Sequence, residues 1–130
     1  MQPVVPDSLE PLYSDRGYSP GVRTGNLLFI AGMLGRDTRL NVIEDREAQL
    51  VQMFDNMALV FREAGYTFNH VADLTGYFTN LERDYALFAD IRRRYLVEPW
   101  PAITLIGVAA LSHPALICEL KGVAVVPASD

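Results

Sequence analysis

The chain has 130 residues, 50% of them apolar and 21% charged, and its 11 basic against 16 acidic residues leave a formal charge of −5. Its one cysteine, Cys118, closes no internal disulfide, which excludes a disulfide-stapled scaffold. The acidic balance argues against a nucleic-acid partner, because phosphate contacts need a positive surface. No run of about 18 uninterrupted apolar residues is present, so no helical membrane span is expected. Met1-Gln2-Pro3-Val4-Val5-Pro6-Asp7 lacks the basic region and apolar block of a secretory signal. The expectation is one cytoplasmic domain over residues 1–130.

Residues 1–21 are rich in Pro, Asp, Ser and Gly and read as an irregular lead-in with at most one short strand. Asn26–Met33 is a compact apolar strand after a turn at Gly25. Arg36–Asp45 is a polar loop. From Arg46 to Ala64 the period turns helical: Leu50, Phe54, Met57, Phe61 and Ala64 share one face, and Gly65 stops the helix. His70–Thr79 reads as a strand.

Leu81–Tyr95 reads as a second helix with Tyr85, Phe88, Ile91 and Tyr95 on its inner face. Glu82 and Asp84 in its first turn and Arg92-Arg93-Arg94 in its last complement the helix dipole, and the three arginines are expected to be solvated. Pro99-Trp100-Pro101 ends it. Ala102–Ala110 and Leu116–Val126 are two late strands joined through Ser112-His113-Pro114. The sum is about five strands and two helices in one layered α+β domain.

Both late strands are apolar on both sides. Ile103, Leu105 and Ala109 alternate with Thr104, Ile106 and Val108, and Ile117, Val123 and Val125 with Cys118, Leu120, Ala124 and Val126. A sheet wetted on one face alternates polar and apolar residues instead. Two helices cover one face, and little chain is left for the other. Packing against further copies of the chain is therefore expected, the alternative being a sheet curled enough to cover itself.

Specific stretches carry a family resemblance. Tyr18-Ser19-Pro20-Gly21-Val22-Arg23-Thr24-Gly25-Asn26-Leu27-Leu28-Phe29-Ile30-Ala31-Gly32 resembles the opening signature of the RidA/YjgF family. Gln49, Asn56 and Gly65 resemble its first helix. Pro101-Ala102 through Leu111, with Glu119-Leu120-Lys121-Gly122-Val123-Ala124-Val125-Val126, resembles its C-terminal signature. The resemblance spans nearly the whole chain. It implies a chorismate-mutase-like mixed sheet with two helices on one face, and a homotrimer whose sheets form a barrel with clefts between subunits. It also implies cofactor-free hydrolysis of 2-imino or 2-enamino acids to 2-keto acids and ammonia.

By the same resemblance Tyr18 and Gly32 match cleft residues. The arginine that holds the substrate carboxylate is replaced by Ile103, a nearby cysteine by Leu105, and a second-helix asparagine by Phe88. The last-strand glutamate is replaced by Lys121, with Glu119 two residues earlier on the same strand face. Lys121 and Glu119 are thus candidate catalytic groups, and Tyr18, Gly32, Phe88, Ile103 and Leu105 candidate substrate-binding residues. The plain structural alternatives are a Lys121–Glu119 ion pair and a cleft at Ile103 filled by apolar packing.

No cofactor or metal is expected. His70 and His113 lie in separate loops with no third ligand at metal spacing, and Cys118 in its apolar strand reads as a buried thiol. The function implied is a divergent deaminase or hydrolase of a small imine, enamine or related metabolite. A non-catalytic small-molecule-binding trimer is the alternative, and an endoribonuclease fits the charge of −5 poorly.

Overall fold

The computed structural model describes residues 1–126. Six strands form one mixed sheet: β1 (Gln2–Val4), β2 (Gly21–Thr24), β3 (Leu27–Met33), β4 (Val71–Phe78), β5 (Ala102–Gly107) and β6 (Cys118–Val125). Their order is β1-β2-β3-β6-β4-β5, with only β4 and β5 parallel. The helices are α1 (Glu10–Ser14), α2 (Arg46–Ala64) and α3 (Leu81–Arg92), the last serving as the β4–β5 crossover. The lead-in, expected to be irregular with at most one short strand, holds β1 and α1 and ends where β2 begins. These are too short to show a period, and β2 is defined by its partner. The tight turn at Gly25, whose φ is +58°, folds it back on β3.

Local chemistry accounts for the helix limits. The Asp45 carboxylate accepts from the Ala48 N–H at 2.9 Å at the start of α2, and Gly65 ends it in the left-handed conformation at φ +77°. Asn80 caps α3 through the Arg83 N–H. The inner stripe of α2 is Leu50, Met53, Phe54, Met57, Val60 and Phe61, all essentially without solvent contact. It packs on Leu28 and Ile30 of β3, Leu74 of β4 and Leu120 and Ala124 of β6. Full burial of each large side chain is worth about 1.5–3 kcal/mol, so this one layer dominates stability. Aromatic pairs join α2 to α3 and β4: Phe54 stacks on Tyr95 at 4.7 Å and Phe78 meets Phe88 edge-on at 5.2 Å. Tyr95 also donates to Asp55 at 3.0 Å; burial, then this carboxylate, pushes its phenol up to about 12.

The inner face of α3 differs from the expected one. Tyr85 is 50% exposed, and the buried stripe is Asp84, Phe88 and Ile91. A carboxylate is tolerated there because Arg46 at the start of α2 and Arg83 beside it grip it at 2.6 and 2.9 Å. Burial alone would raise the Asp84 pKa, but the hydrogen bonds and charges of Arg83 and Arg46 outweigh it and hold it below the ordinary carboxylate value.

Two amides on the inner face of α2 organise the loops. Gln49 Nε2 donates to the carbonyls of Ile43 and Ala115, while its Oε1 accepts from the Ile117 N–H at 2.7 Å. Asn56 Nδ2 donates to the carbonyls of Leu34 and Arg36. Both side chains are buried. The helices lie on one sheet face, as expected. The other carries Phe29 and Ile106, 44% and 41% exposed, and the sheet stays open, with β1 and β5 at its edges.

Two stability predictions follow from these buried polar groups. Gln49→Leu strands two carbonyls and one N–H, so it should cost about 3 kcal/mol, read from urea unfolding midpoints at constant slope. Asp84→Asn should lower the midpoint at pH 7. Because the folded-state pKa of Asp84 lies below its unfolded value of about 3.9, its contribution is full above that pH and is lost as pH falls through the folded value. The gap between wild type and variant should therefore close as pH drops from 4 toward 2.

Candidate functional site

The expected site residues fall into two groups on opposite faces of the sheet. The first lies on the open face. Between Ile30 and Met33 the register of β3 against β6 shifts, since Ile30 pairs with Gly122 and Met33 with Leu120. Ala31 and Gly32 together therefore oppose Lys121, a β-bulge of the kind that re-aims backbone next to functional sites. Glu119 and Lys121 alternate outward on β6, and the Glu119 side chain lies directly over Gly32. A Cβ on Gly32 would come within 2.5 Å of its carboxyl. The absent side chain is what gives the carboxylate its seat.

Glu119 and Lys121 do not form the ion pair weighed from the sequence: among the described residues no salt bridge includes either. Two residues of strand separate their backbones by about 6.8 Å, and the Glu119 side chain turns to Gly32 instead. Across the ladder Tyr77 of β4 sits opposite Glu119, and Thr75 opposite Lys121. Gly32, Thr75, Tyr77, Glu119 and Lys121, with the apolar Phe29, line an open depression of about 850 Å³. Tyr77 and Thr75 carried no signal in the sequence beyond their place in a strand, because register alone sets them beside the charged pair.

Tyr18 stands beside the same bulge, 38% exposed. Burial raises its phenol pKa, and the charges of Arg16 and Arg36 work against that while Glu119 adds to it. Arg36 donates through Nη1 to the Leu40 carbonyl at 2.9 Å. Desolvation, then the neighbouring Arg16, lowers its pKa. These two arginines are cations the sequence reading did not single out. Asn56 holds the loop that carries Arg36, and Arg16 follows α1, its N–H bonded to the Pro11 carbonyl.

The second group lies on the helix side. Ile103 and Leu105, half-buried, point from the edge strand β5 toward α3. They line a cavity of about 410 Å³ with Tyr85, Arg92, Arg93 and Trp100. Strand β4 separates β5 from β6, so the two groups are about 10 Å apart in strand spacing as well as on opposite faces. One chain alone does not join them.

Phe88 belongs to neither group. Expected to line the cleft, it is fully buried, stacked on Phe54 and edge-on to Phe78, and presents no surface to a ligand. Its place on the apolar stripe of α3 puts it in the core. The arginine run keeps its exposure, as expected, with Arg93 and Arg94 exposed and Arg92 half-buried. Arg94 pairs with Glu47 and Asp90, whereas Arg92 and Arg93 face the cavity.

The remaining candidates serve local structure. His70 Nδ1 accepts from the Thr67 N–H and His113 Nδ1 from the Ala115 N–H, each closing a turn. Cys118 is buried, and desolvation, reinforced by Asp84 and Glu119, raises its thiol pKa well above the ordinary value. No helix among the described residues is long and apolar enough to cross a membrane.

A mixed sheet with helices on one face and a bulged glycine under a strand glutamate defines a class of small α+β protein with its polar groups at the open face and edge. The family described as Endoribonuclease L-PSP matches residues 9–126, and the chain belongs to this family, that of the RidA/YjgF proteins. The RutC family protein YjgH of Escherichia coli is 29% identical over 125 residues, covering 95% of this chain and 94% of that one. A solved structure of protein YjgH superposes with a TM-score of 0.88 at 28% identity, over 97% of this chain and 96% of the other. A 2-iminobutanoate/2-iminopropanoate deaminase of Dermatophagoides farinae is 29% identical over 129 residues, 95% of this chain and 92% of its own. RidA from an Antarctic Psychrobacter species superposes with a TM-score of 0.79 at 31% identity, over 85% of this chain and 89% of that one.

Proposed function

We propose that the protein is a deaminase of small imines or enamines, working without a cofactor in clefts formed between copies of the chain. The observation that carries this reading is the bulge at Gly32, which gathers Tyr18 and Glu119 about one backbone turn with Lys121 opposite it on the same face. The similarity to an iminobutanoate/iminopropanoate deaminase supports the reaction class.

The chemistry needs few groups. Glu119 orients a water and takes one of its protons as the oxygen bonds to the imine carbon. The C=N π pair moves to nitrogen, which is protonated by the Lys121 ammonium. On collapse the C–N bond breaks, the nitrogen leaves as ammonia with the proton held by Glu119, and the hydroxyl proton returns to Lys121. Imine and water thus become ketone and ammonia.

Assembly completes the cleft. The exposed Phe29 and Ile106, with Val22 and Val123, make the open face apolar, and a second copy excludes water from it. Stacking around a threefold axis brings the β5 edge of one copy toward the β3–β6 face of the next. Light scattering should report a mass near three times the 14.5 kDa chain; a mass of one chain overturns the assembly. Phe29→Asp should shift the mass toward the monomer.

Activity is tested by generating 2-iminobutanoate in situ with an amino-acid oxidase and following ammonia release. The protein should accelerate release, Glu119→Gln should slow it about a hundredfold, and Lys121→Ala should abolish it. The apolar Ile103 and Leu105 favour a second reading, a binding module without turnover. No acceleration together with saturable binding of a neutral ligand would establish that one.

A further inference from the structure

The cavity between α3 and β5 has a composition that its location in an acidic chain does not explain. Of its charged lining residues both are arginines, Arg92 and Arg93, and no carboxylate lines it. Neither arginine takes part in a salt bridge among the described residues, although the chain has 16 acidic residues for 11 basic ones. The neighbouring Arg94 behaves ordinarily, pairing with Glu47 at 3.5 Å and Asp90 at 3.8 Å. Two uncompensated guanidinium groups converge on one concave surface of a protein of net charge −5.

Both lie over aromatic rings. The Arg93 guanidinium lies 5.4 Å from the Trp100 ring centre, and that of Arg92 lies 5.9 Å from the ring of Phe88. A cation–π contact uses the face of a guanidinium or its charge and leaves N–H donors for another partner, and the planar fork of those donors matches a carboxylate. The remaining walls, Tyr85, Trp100, Ile103 and Leu105, are apolar or aromatic. A volume of about 410 Å³ is within the range of small-molecule sites. The second pair of arginines, Arg16 and Arg36, offers less. The space beside them is about 20 Å³, one Arg36 nitrogen is already bonded to Leu40, and Glu119 stands close by.

We infer that this cavity binds a small carboxylate with an apolar or aromatic body, its charge gripped by Arg92 and Arg93 and its body packed against Trp100, Ile103 and Leu105. This deepens the deaminase reading, on which its metabolic sense rests, by supplying from helix α3 the cation that Ile103 lacks. Ile103 then does a different job: it forms the apolar wall that selects the ligand's body. The C-terminal carbonyls of α3 repel an anion weakly, and two guanidinium groups outweigh them.

The chain's one tryptophan lines the cavity, so its fluorescence reports binding directly and without turnover. The intact protein is titrated with phenylacetate, with phenylacetamide and with inorganic phosphate. Phenylacetate should change the emission saturably, the neutral amide should bind at least tenfold more weakly, and phosphate should leave the emission unchanged. Arg92→Ala/Arg93→Ala should weaken phenylacetate at least tenfold, whereas Arg94→Ala should bind as wild type does. Ile103→Glu, which places a carboxylate of the chain's own beside the arginines, should abolish binding with the fold intact by circular dichroism. Equal affinity for acid and amide, a phosphate response equal to that of the acid, or an unaffected double variant would overturn the proposal. The acid–amide comparison uses wild type alone, so it holds even if a variant misfolds. Because no step requires ammonia release, failure of the deaminase reading and failure of this one are separately visible.

Discussion

The structure depends on two side-chain amides seven residues apart on the buried face of α2. Gln49 and Asn56 between them bond five backbone groups drawn from the end of β3, the following loop and the approach to β6. Leu34 and Arg36 lie just after Gly32, and Ile117 lies two residues before Glu119. The amides therefore hold both strands at the point where the bulged glycine meets the carboxylate. Buried backbone groups left unbonded cost more than a bonded pair gains, so the loops have one low-energy position. Rigid placement of this kind is what a site built from backbone and a single carboxylate requires.

Charge is distributed to match. Burial of Asp84 between Arg46 and Arg83 locks the N-termini of α2 and α3 together, and that lock consumes two of the chain's cations for structure. Arg94 is neutralised on the surface. Among the cations that line concave surfaces, Arg16 and Arg36 stand beside Tyr18 and Arg92 and Arg93 beside Trp100, with Lys121 on the open face. In a chain of net charge −5 the cavity of Arg92 and Arg93, which no carboxylate lines, stands out as locally positive, and such a region draws anions from solution.

The one-sided placement of helices explains why the polar groups are divided. Glu119, Lys121, Tyr77 and Thr75 sit on the face no helix of the described residues covers, whereas Ile103 and Leu105 turn toward α3 at the sheet's edge. In the trimer proposed above, the open face of one copy would meet the edge cavity of the next. This is the physical basis for reading the two groups as walls of one cleft.

The apolar periodicity of residues 46–64, the double-sided late strands and the signature stretches were sufficient to read the layered α+β fold, because period and turn chemistry are local properties. Tyr18 and Gly32 were singled out through their motif, and Glu119 only through its place two residues before Lys121 on the same strand face. Short β1 and β2 were not, since three or four residues show no period and acquire it only from a partner strand. Asp84 could not be distinguished from a surface carboxylate, because its burial is made possible by Arg46, thirty-eight positions away. Tyr85 and Phe88 lie three positions apart on α3, about 60° apart around its axis, and only the position of Phe54 and Phe78 decides that Phe88 is core and Tyr85 exposed. Arg92 and Arg93 read as solvated charges and keep that exposure, but only the β4–β5 crossover places them in one cavity with Trp100 and Ile103. Sequence alone determined which residues are apolar, where turns fall and which family pattern they follow. Tertiary structure decided which charges lose their water and which side chains share a cavity, because both depend on neighbours remote along the chain.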